Sequence, residues 1–288
     1  MCCRLHTAKS HRFHLHLLLA LILATALALI LRAHGVAFWY APAAVVAAHL
    51  LVIAALGGLV AWITHGKHHA GGHAGHSHAD PGLLIRKPRF YDVLARILML
   101  GRERTMRGRM LDLADLRPGN AVLDIGCGTG TLLLGAAKRI GPGGALHGIE
   151  PATEMAEHAR RKATAAGIAL RISEGSADRL PYPDNSFDAV FCTLVLHHVP
   201  APKHADALRE MRRVLRPGGR LVIVEFRRPR SIRAALSLIT LFHGLSSHAP
   251  VADPAALEPL VRDAGFETVA LPSLSASLGA LTARKGAA

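Results

Sequence analysis

Residues 121–140 constrain this chain more tightly than any other stretch. Ala121-Val-Leu-Asp-Ile125 is a short apolar run ending in Gly126-Cys-Gly-Thr-Gly130, and the periodic stretch Thr131 to Ile140 follows with no spacer. The first part reads as a buried strand and the last as a helix. Three glycines in five positions mark a turn that adopts backbone conformations closed to other residues and lets a ligand approach closely. A strand entering a helix through so short a turn belongs to a parallel crossover, which predicts an α/β fold with helices covering the sheet. The same turn aims the free N–H groups of the helix start at whatever lies over the strand end. A second turn, Gly141-Pro-Gly-Gly144, leads into the strand Ala145 to Ile149, which ends at Glu150. That acid lies twenty residues beyond Gly130, where the second strand's end returns beside the first turn. A carboxylate placed there accepts both ribose hydroxyls of an adenosine.

A glycine-rich turn of this kind serves several nucleotide classes, and its details narrow them. The pattern is G-x-G-x-G rather than the dinucleotide G-x-G-x-x-G. Asp124 immediately precedes it. An acid at that point suits a positively charged amino group and repels a pyrophosphate, so the implied ligand is an adenosine carrying an amine.

On these residues the chain resembles the class I S-adenosylmethionine-dependent methyltransferases, in their UbiE-like, small-molecule (methyltransferase type 11) branch. The resemblance runs from about Phe90 to Lys285. It rests on Val122 to Gly130, His147-Gly-Ile-Glu-Pro-Ala-Thr-Glu-Met155, Gly175 to Val190, Leu194-Val-Leu-His-His-Val199 and Leu215 to Glu225, with Ala264-Gly-Phe-Glu267 at the start of a closing hairpin. It implies a Rossmann-like, seven-stranded, mostly parallel sheet with helices on both faces and S-adenosyl-L-methionine over the carboxyl ends of the first strands. The cofactor residues it carries over are Asp124, Gly126, Cys127, Gly128 and Gly130 around the methionine moiety and Glu150 on the ribose. Met155, Ser176, Ala177 and Thr193 complete the set, with Met155 packing near the adenine. Ser176 departs from the family pattern, which usually has Asp or Asn there; a hydroxyl accepts one hydrogen bond from the adenine amino group with shorter reach. Asp178 reads as a solvated loop charge. Tyr91, in Phe90-Tyr-Asp92, is either a lid residue over the cofactor or an ordinary core tyrosine.

Methyl transfer from a sulfonium asks the protein mainly for positioning and exclusion of water. A general base is needed only for some acceptors. His197 and His198 follow the fourth strand and titrate in the useful range, so they are the candidate catalytic residues. They read equally well as a helix-start pair that serves packing and capping.

The hydrophobicity is concentrated ahead of this domain. Leu15 to Leu31 and Ala41 to Ile63 are two apolar runs, against a whole-chain hydrophobic content of 51%. A membrane-spanning helix needs about 20 apolar residues, so transmembrane helices are expected at about 15–33 and 41–63 within an anchor at 1–64. Arg4, Lys9 and Arg12 precede the first run, and Lys67, Arg86, Lys87 and Arg89 follow the second, while the connector carries Arg32 alone. That bias predicts an inner-membrane hairpin with both ends, and hence the methyltransferase domain, on the cytoplasmic side. The competing reading is a cleaved signal peptide followed by one stop-transfer helix, which leaves the domain on the same side. The linker at 65–85 carries His65, His68, His69, His73, His76 and His78. It reads as a flexible tether rather than a metal site; no metal site is assigned elsewhere. Residues 86–288 form the methyltransferase domain.

A formal net charge of +14 points to an anionic partner surface. Membrane headgroups supply it, whereas 5% aromatic content and the lack of an Asn-Pro-Pro-Tyr base-flipping motif argue against nucleic acid. Arg227, Arg228, Arg230 and Arg233, ahead of the apolar stretch Ala234 to Leu245, read as a surface lying on anionic lipid or as a solvated helix end. Two functions are consistent with these features. One is a membrane-anchored methyltransferase acting on a small lipid-soluble acceptor: a quinone precursor, an isoprenoid or an aminophospholipid. The other is a non-catalytic membrane module with a metal-binding linker. Neither the acceptor atom nor the oligomeric state is legible in one sequence.

Overall fold

A computed structural model of the chain describes residues 88–99, 101–227 and 252–287. Two helices, α1 (Pro88–Leu98) and α2 (Glu103–Asp112), precede the sheet. The alternating part follows as β1 (Ala121–Ile125), α3 (Thr131–Ile140), β2 (Ala145–Ile149), α4 (Thr153–Ala165), β3 (Arg171–Ser173), β4 (Phe187–Thr193), α5 (His204–Val214) and β5 (Leu215–Phe226). Helix α6 (Pro254–Asp263) and the strands β6 (Phe266–Ala270) and β7 (Leu278–Lys285) close the domain. The seven strands run in the order β3-β2-β1-β4-β5-β7-β6. All pairs are parallel except those made by β7, which is antiparallel to both β5 and β6. The expected seven-stranded, mostly parallel sheet is therefore present.

The strand order reverses between β1 and β4, and in open α/β sheets the crevice outside such a switch point receives the ligand. Both sheet faces are covered, so the central strands are apolar on both sides. Leu123 and Ile125 of β1 join Val190, Cys192, Leu221 and Ile223 under α5 and α6. Val122, Phe191, Val222 and Val224 point the other way, beneath α2, α3 and α4. The period-2 alternation is the pleat itself. It also sets Asp124 on the second face, beside Gly148 and Phe191 of the flanking strands, where an acid is costly without a partner.

Helix ends follow from local chemistry. Asp253 caps α6, its carboxylate accepting from the Ala255 N–H at 3.0 Å, with Pro254 in the first helical position. Gly141 closes α3 with φ +66°, its N–H bonded to Ala137 O. The sequence Arg216-Pro-Gly-Gly219 lies within the bounds of β5. There the register jumps from Phe187–Leu215 to Ala189–Arg220. A proline and two glycines interrupt the ladder without ending it.

The transmembrane helices expected at 15–33 and 41–63, the linker at 65–85 and the stretch Ala234 to Leu245 lie outside the described residues. Among the described residues no helix is long and apolar enough to cross a membrane.

Candidate functional site

The end of β1 and the glycine turn form the floor of a cavity that also takes in α1, α2 and the end of β4. Asp124, Gly126, Cys127, Gly128, Thr193 and Leu194 contribute from the sheet side. From above, Tyr91 and Ala95 of α1 and Met99 just beyond it line the cavity at four-residue intervals, with Arg107 of α2. The carboxyl ends of β1 and β4 thus open onto a cleft roofed by α1 and α2.

The turn needs glycine for steric reasons. Gly126 has φ +66°, and a Cβ there would lie 2.4 Å from Val195 Cγ2. Gly128 and Gly130 also have positive φ, at +53° and +70°. Cys127 N–H bonds to Ile149 O at 3.0 Å, tying the turn to the end of β2. Leu194, which lines the cavity, is itself left-handed at φ +58°. Non-glycine residues hold that conformation only where their surroundings over-determine it. Its N–H is bonded to Val224 O at 2.8 Å.

Two carboxylates dominate the electrostatics. Asp124 is 1% exposed, and its Oδ1 has no hydrogen-bond partner among the described residues. Burial first, and then the charge of Glu150, push its carboxyl up to about 8, against the opposing pull of the Arg107 guanidinium. Glu150 is buried as well. Its Oε2 accepts from the Gly128 N–H at 2.8 Å and its Oε1 from the Ala152 N–H at 3.0 Å. Burial raises its pKa, and those two backbone bonds hold the rise back. An acid pair of this kind, one member unpartnered, is built to receive a cation. Burial likewise pushes the Tyr91 hydroxyl up, while the Arg107 charge pulls it down. Cys127 is buried, and desolvation raises its thiol so far that it plays no acid–base part.

The remaining predicted residues divide. Met155 is buried, with its Cε 3.9 Å from the position of a Cβ on Gly128, so it sits beside the turn. Ala177 packs in the core under α5 and does not line the cavity. Ser176 is exposed, and its hydroxyl donates to Asp178. Asp178, read from sequence as a solvated charge, is instead held by Lys203 Nζ at 2.8 Å. Those two contacts keep its carboxyl below the usual range.

His197 and His198 fall on a single 3-10 turn, Leu196–His198, rather than at the start of an α-helix. His197 is buried, with Nδ1 2.8 Å from Glu225 Oε2. Its ring stands edge-on to Phe226 at 5.1 Å. Glu225 is fully buried at the end of β5, and its Oε1 accepts from the Val195 and Leu196 N–H groups at 2.8 and 2.7 Å. His198 is exposed. Neither histidine is among the residues lining the Asp124 cavity. A third ring, His204, faces Leu196 O and Val199 O at 2.9 Å each and ties down the same loop.

Sequence reasoning missed Arg107, Met99 and the partnership of Glu225 with His197. Arg107 belongs to no motif of the sequence. Its helical offset from Met110 and Leu111, which are buried, was the available signal that it faces inward.

Comparison with known proteins gives a consistent answer. A family model described as a methyltransferase domain matches residues 122–219. The chain is 32% identical over 215 residues to the ubiquinone/menaquinone biosynthesis C-methyltransferase UbiE of Ectopseudomonas mendocina, covering 66% of this chain and 82% of that protein. It is 42% identical over 139 residues to a demethylmenaquinone methyltransferase of Thermus thermophilus, covering 48% of this chain and 62% of the relative. An uncharacterized 37.1 kDa protein of transposon Tn4556 from Streptomyces fradiae is 47% identical over 122 residues, 42% of this chain and 34% of that one. The chain therefore spans less than two thirds of the length of several relatives it matches. Among solved structures, a SAM-dependent methyltransferase from Aquifex aeolicus superimposes with a TM-score of 0.56 at 21% identity, covering 72% of this chain and 99% of the other. The geranyl diphosphate C-methyltransferase of Streptomyces coelicolor gives 0.53 at 15% identity, covering 64% and 79%. At those identities the two structures share the fold.

Proposed function

The chain belongs to the S-adenosylmethionine-dependent methyltransferases of the UbiE-like kind, and from that premise we propose that it methylates a small, lipid-soluble acceptor at a membrane surface. The observation that carries this reading is the buried Asp124 with an unpartnered oxygen beside Glu150, inside a cleft at the sheet's switch point. The donor set fits the cofactor. Asp124 meets an ammonium, Arg107 meets a carboxylate, Glu150 takes the ribose hydroxyls, and Met155 flanks the adenine. When bound, S-adenosylmethionine supplies an electrophilic methyl group on a sulfonium.

The chain's own residues do the rest. Tyr91 and Ala95 of α1, with Met99 just beyond it, cover the cleft and exclude water, which strengthens each charge interaction inside it. Glu225 Oε2, 2.8 Å from Nδ1, orients the His197 ring. In this reading His197 is the base that holds the acceptor's proton, and Glu225 fixes its tautomer. His198, exposed at the end of the turn with its ring 3.9 Å from that of His197, takes the lesser part.

For the acceptor, a quinone precursor is favoured over an isoprenoid or an aminophospholipid. Two relatives are named for methylation in the ubiquinone and menaquinone series, one of them explicitly a C-methyltransferase. Membrane association is supported by the two N-terminal apolar runs with basic flanks. It is also supported by the outer face of α1, where Val93 and Ile97 are exposed beside the exposed Arg89 and Arg96. An inner-membrane hairpin with a cytoplasmic domain is the corresponding arrangement.

Calorimetry of the full, detergent-solubilised chain with S-adenosylhomocysteine tests the cofactor. Glu150→Ala removes two charged hydrogen-bond acceptors for the ligand and is expected to cost about 2–3 kcal/mol of binding. Unchanged affinity in that variant refutes the assignment. Lipid extracts of cells with and without the protein, compared for a one-methyl mass difference, test the acceptor. Protease accessibility of the domain tests the side of the membrane.

A further inference from the structure

A second polar cluster, at the cavity's rim where Thr129 and Thr131 line it, joins α1, the glycine turn, α3 and α4. Asp92 follows the cavity-lining Tyr91 on α1. Its Oδ1 accepts from Thr129 Oγ1 at 2.6 Å and its Oδ2 from Lys162 Nζ at 3.0 Å. Lys162, in the last turn of α4, also donates to Thr131 Oγ1 at 2.6 Å and to Thr129 Oγ1 at 3.2 Å. His158, one turn earlier on α4, places Nε2 3.5 Å from Asp92 Oδ2. Thr129 belongs to the glycine turn and is 3% exposed. The Asp92 and Lys162 side chains are 30% and 25% exposed, so the pair is partly shielded from solvent.

The arrangement is notable for where it sits. An isolated helix of eleven residues such as α1 is marginal in water. Its outer face presents exposed Val93 and Ile97. The inner face must nevertheless hold Tyr91, Ala95 and Met99 against the cleft. A carboxylate adjacent to Tyr91, bonded to the glycine turn and to an ammonium on α4, supplies that hold. We propose that Asp92 and Lys162 are positioning residues that latch α1 onto the glycine turn and thereby close the lid over the bound cofactor. The inference rests on the cofactor reading above and extends it to how the cofactor is retained.

The chemistry of the cluster is self-consistent. The Thr129 hydroxyl has one proton, given to Asp92, and lone pairs that accept from Lys162. The Lys162 ammonium spreads its donors over Asp92, Thr129 and Thr131. Burial by itself would raise the Asp92 carboxyl. The bonds from Thr129 and Lys162 and the nearby positive charges outweigh it, so the group stays ionised below its ordinary range. Neither Asp92 nor Lys162 lines the cavity, but Thr129 and Thr131, which they bond, do, so the protection of α1 is the readout that separates a latch on that helix from a shift of the turn itself.

The test is a double-mutant cycle on the full chain in detergent micelles, with S-adenosylhomocysteine as probe. Affinity is read by calorimetry, and the protection of amides 88–99 by hydrogen exchange with and without ligand. Asp92→Asn and Lys162→Met are each expected to weaken binding about tenfold, the charged Asp92–Lys162 pair being lost in both. The double variant is expected to lose little more than either single one. Ligand should protect α1 in the unaltered chain and fail to do so in the variants. Variants that melt earlier yet keep wild-type affinity and ligand-dependent protection overturn the latch, as does additive weakening in the double variant. Should Asp92→Asn not fold, Lys162→Met alone decides by the same two readouts. Binding by the unaltered chain with no change in the variants removes the latch and leaves the cofactor reading intact. No binding by the unaltered chain removes both.

Discussion

Replacing Asp124 by asparagine should make the ligand-free protein more stable and the cofactor site useless. The carboxyl stands at about 8 in the fold, against an ordinary value of 3.8. Its folded value exceeds its unfolded one, so its favourable contribution is complete below about pH 4 and is lost as pH rises toward 8. At pH 7 the ionisation held back by burial and Glu150 corresponds to 3.2 pH units, or about 4 kcal/mol at 1.36 kcal/mol per unit. An asparagine in the same volume carries no charge, but its amide lacks partners there and gives back about 1–3 kcal/mol. The net expectation is a gain of roughly 1–3 kcal/mol near pH 7 that turns, near pH 4, into a loss of about the amide's cost. Urea unfolding followed by far-ultraviolet circular dichroism at pH 5, 7 and 8 measures it. The ligand dependence runs the other way. An ammonium binds the ionised carboxylate, so affinity for S-adenosylhomocysteine should climb between pH 6 and 8, by at most tenfold per unit. The asparagine variant should show neither the affinity nor the climb. A variant no more stable than the parent at pH 8, or a flat affinity profile in the parent, refutes the claim that Asp124 is a desolvated receptor for a cation.

Other perturbations probe the scaffold around that receptor. Gly126→Ala places a methyl 2.4 Å from Val195 Cγ2 at φ +66°, and should cost roughly 2–4 kcal/mol of stability in thermal or urea unfolding. Adding Val195→Ala should restore the part due to the clash and leave the part due to backbone strain. Glu225→Gln leaves one acceptor oxygen for the Val195 and Leu196 N–H groups and His197. Turnover should fall about a hundredfold with the affinity for S-adenosylhomocysteine little changed, and an equal loss of both would place Glu225 in cofactor binding instead.

Much of the architecture was legible because it rests on short-range rules. A five-residue apolar run, a glycine turn and a periodic stretch specify strand, tight turn and helix within twenty positions, and the parallel crossover follows from chain geometry. Glu150 was legible for the same reason: the length of one β–α–β unit sets where the second strand ends. Gly126 required left-handed backbone, and the sequence announces that by the residue type itself. The family motifs extended this to the full seven strands, whose order no local rule supplies.

What the sequence could not reveal depends on contacts between distant positions. Asp178 reads as a loop charge until Lys203 is brought beside it. His197 and His198 are indistinguishable as neighbours in a string. Only the turn's geometry buries one against Glu225, twenty-eight residues away, and leaves the other exposed. Arg107 and Asp92 carry no motif, and their parts arise because α1 and α2 pack over the sheet's open end. Electrostatic roles are of this second kind in general. The field at a carboxylate is set by what surrounds it in space, and for Asp124 that means burial, Glu150 and Arg107, drawn from three separate elements of the fold.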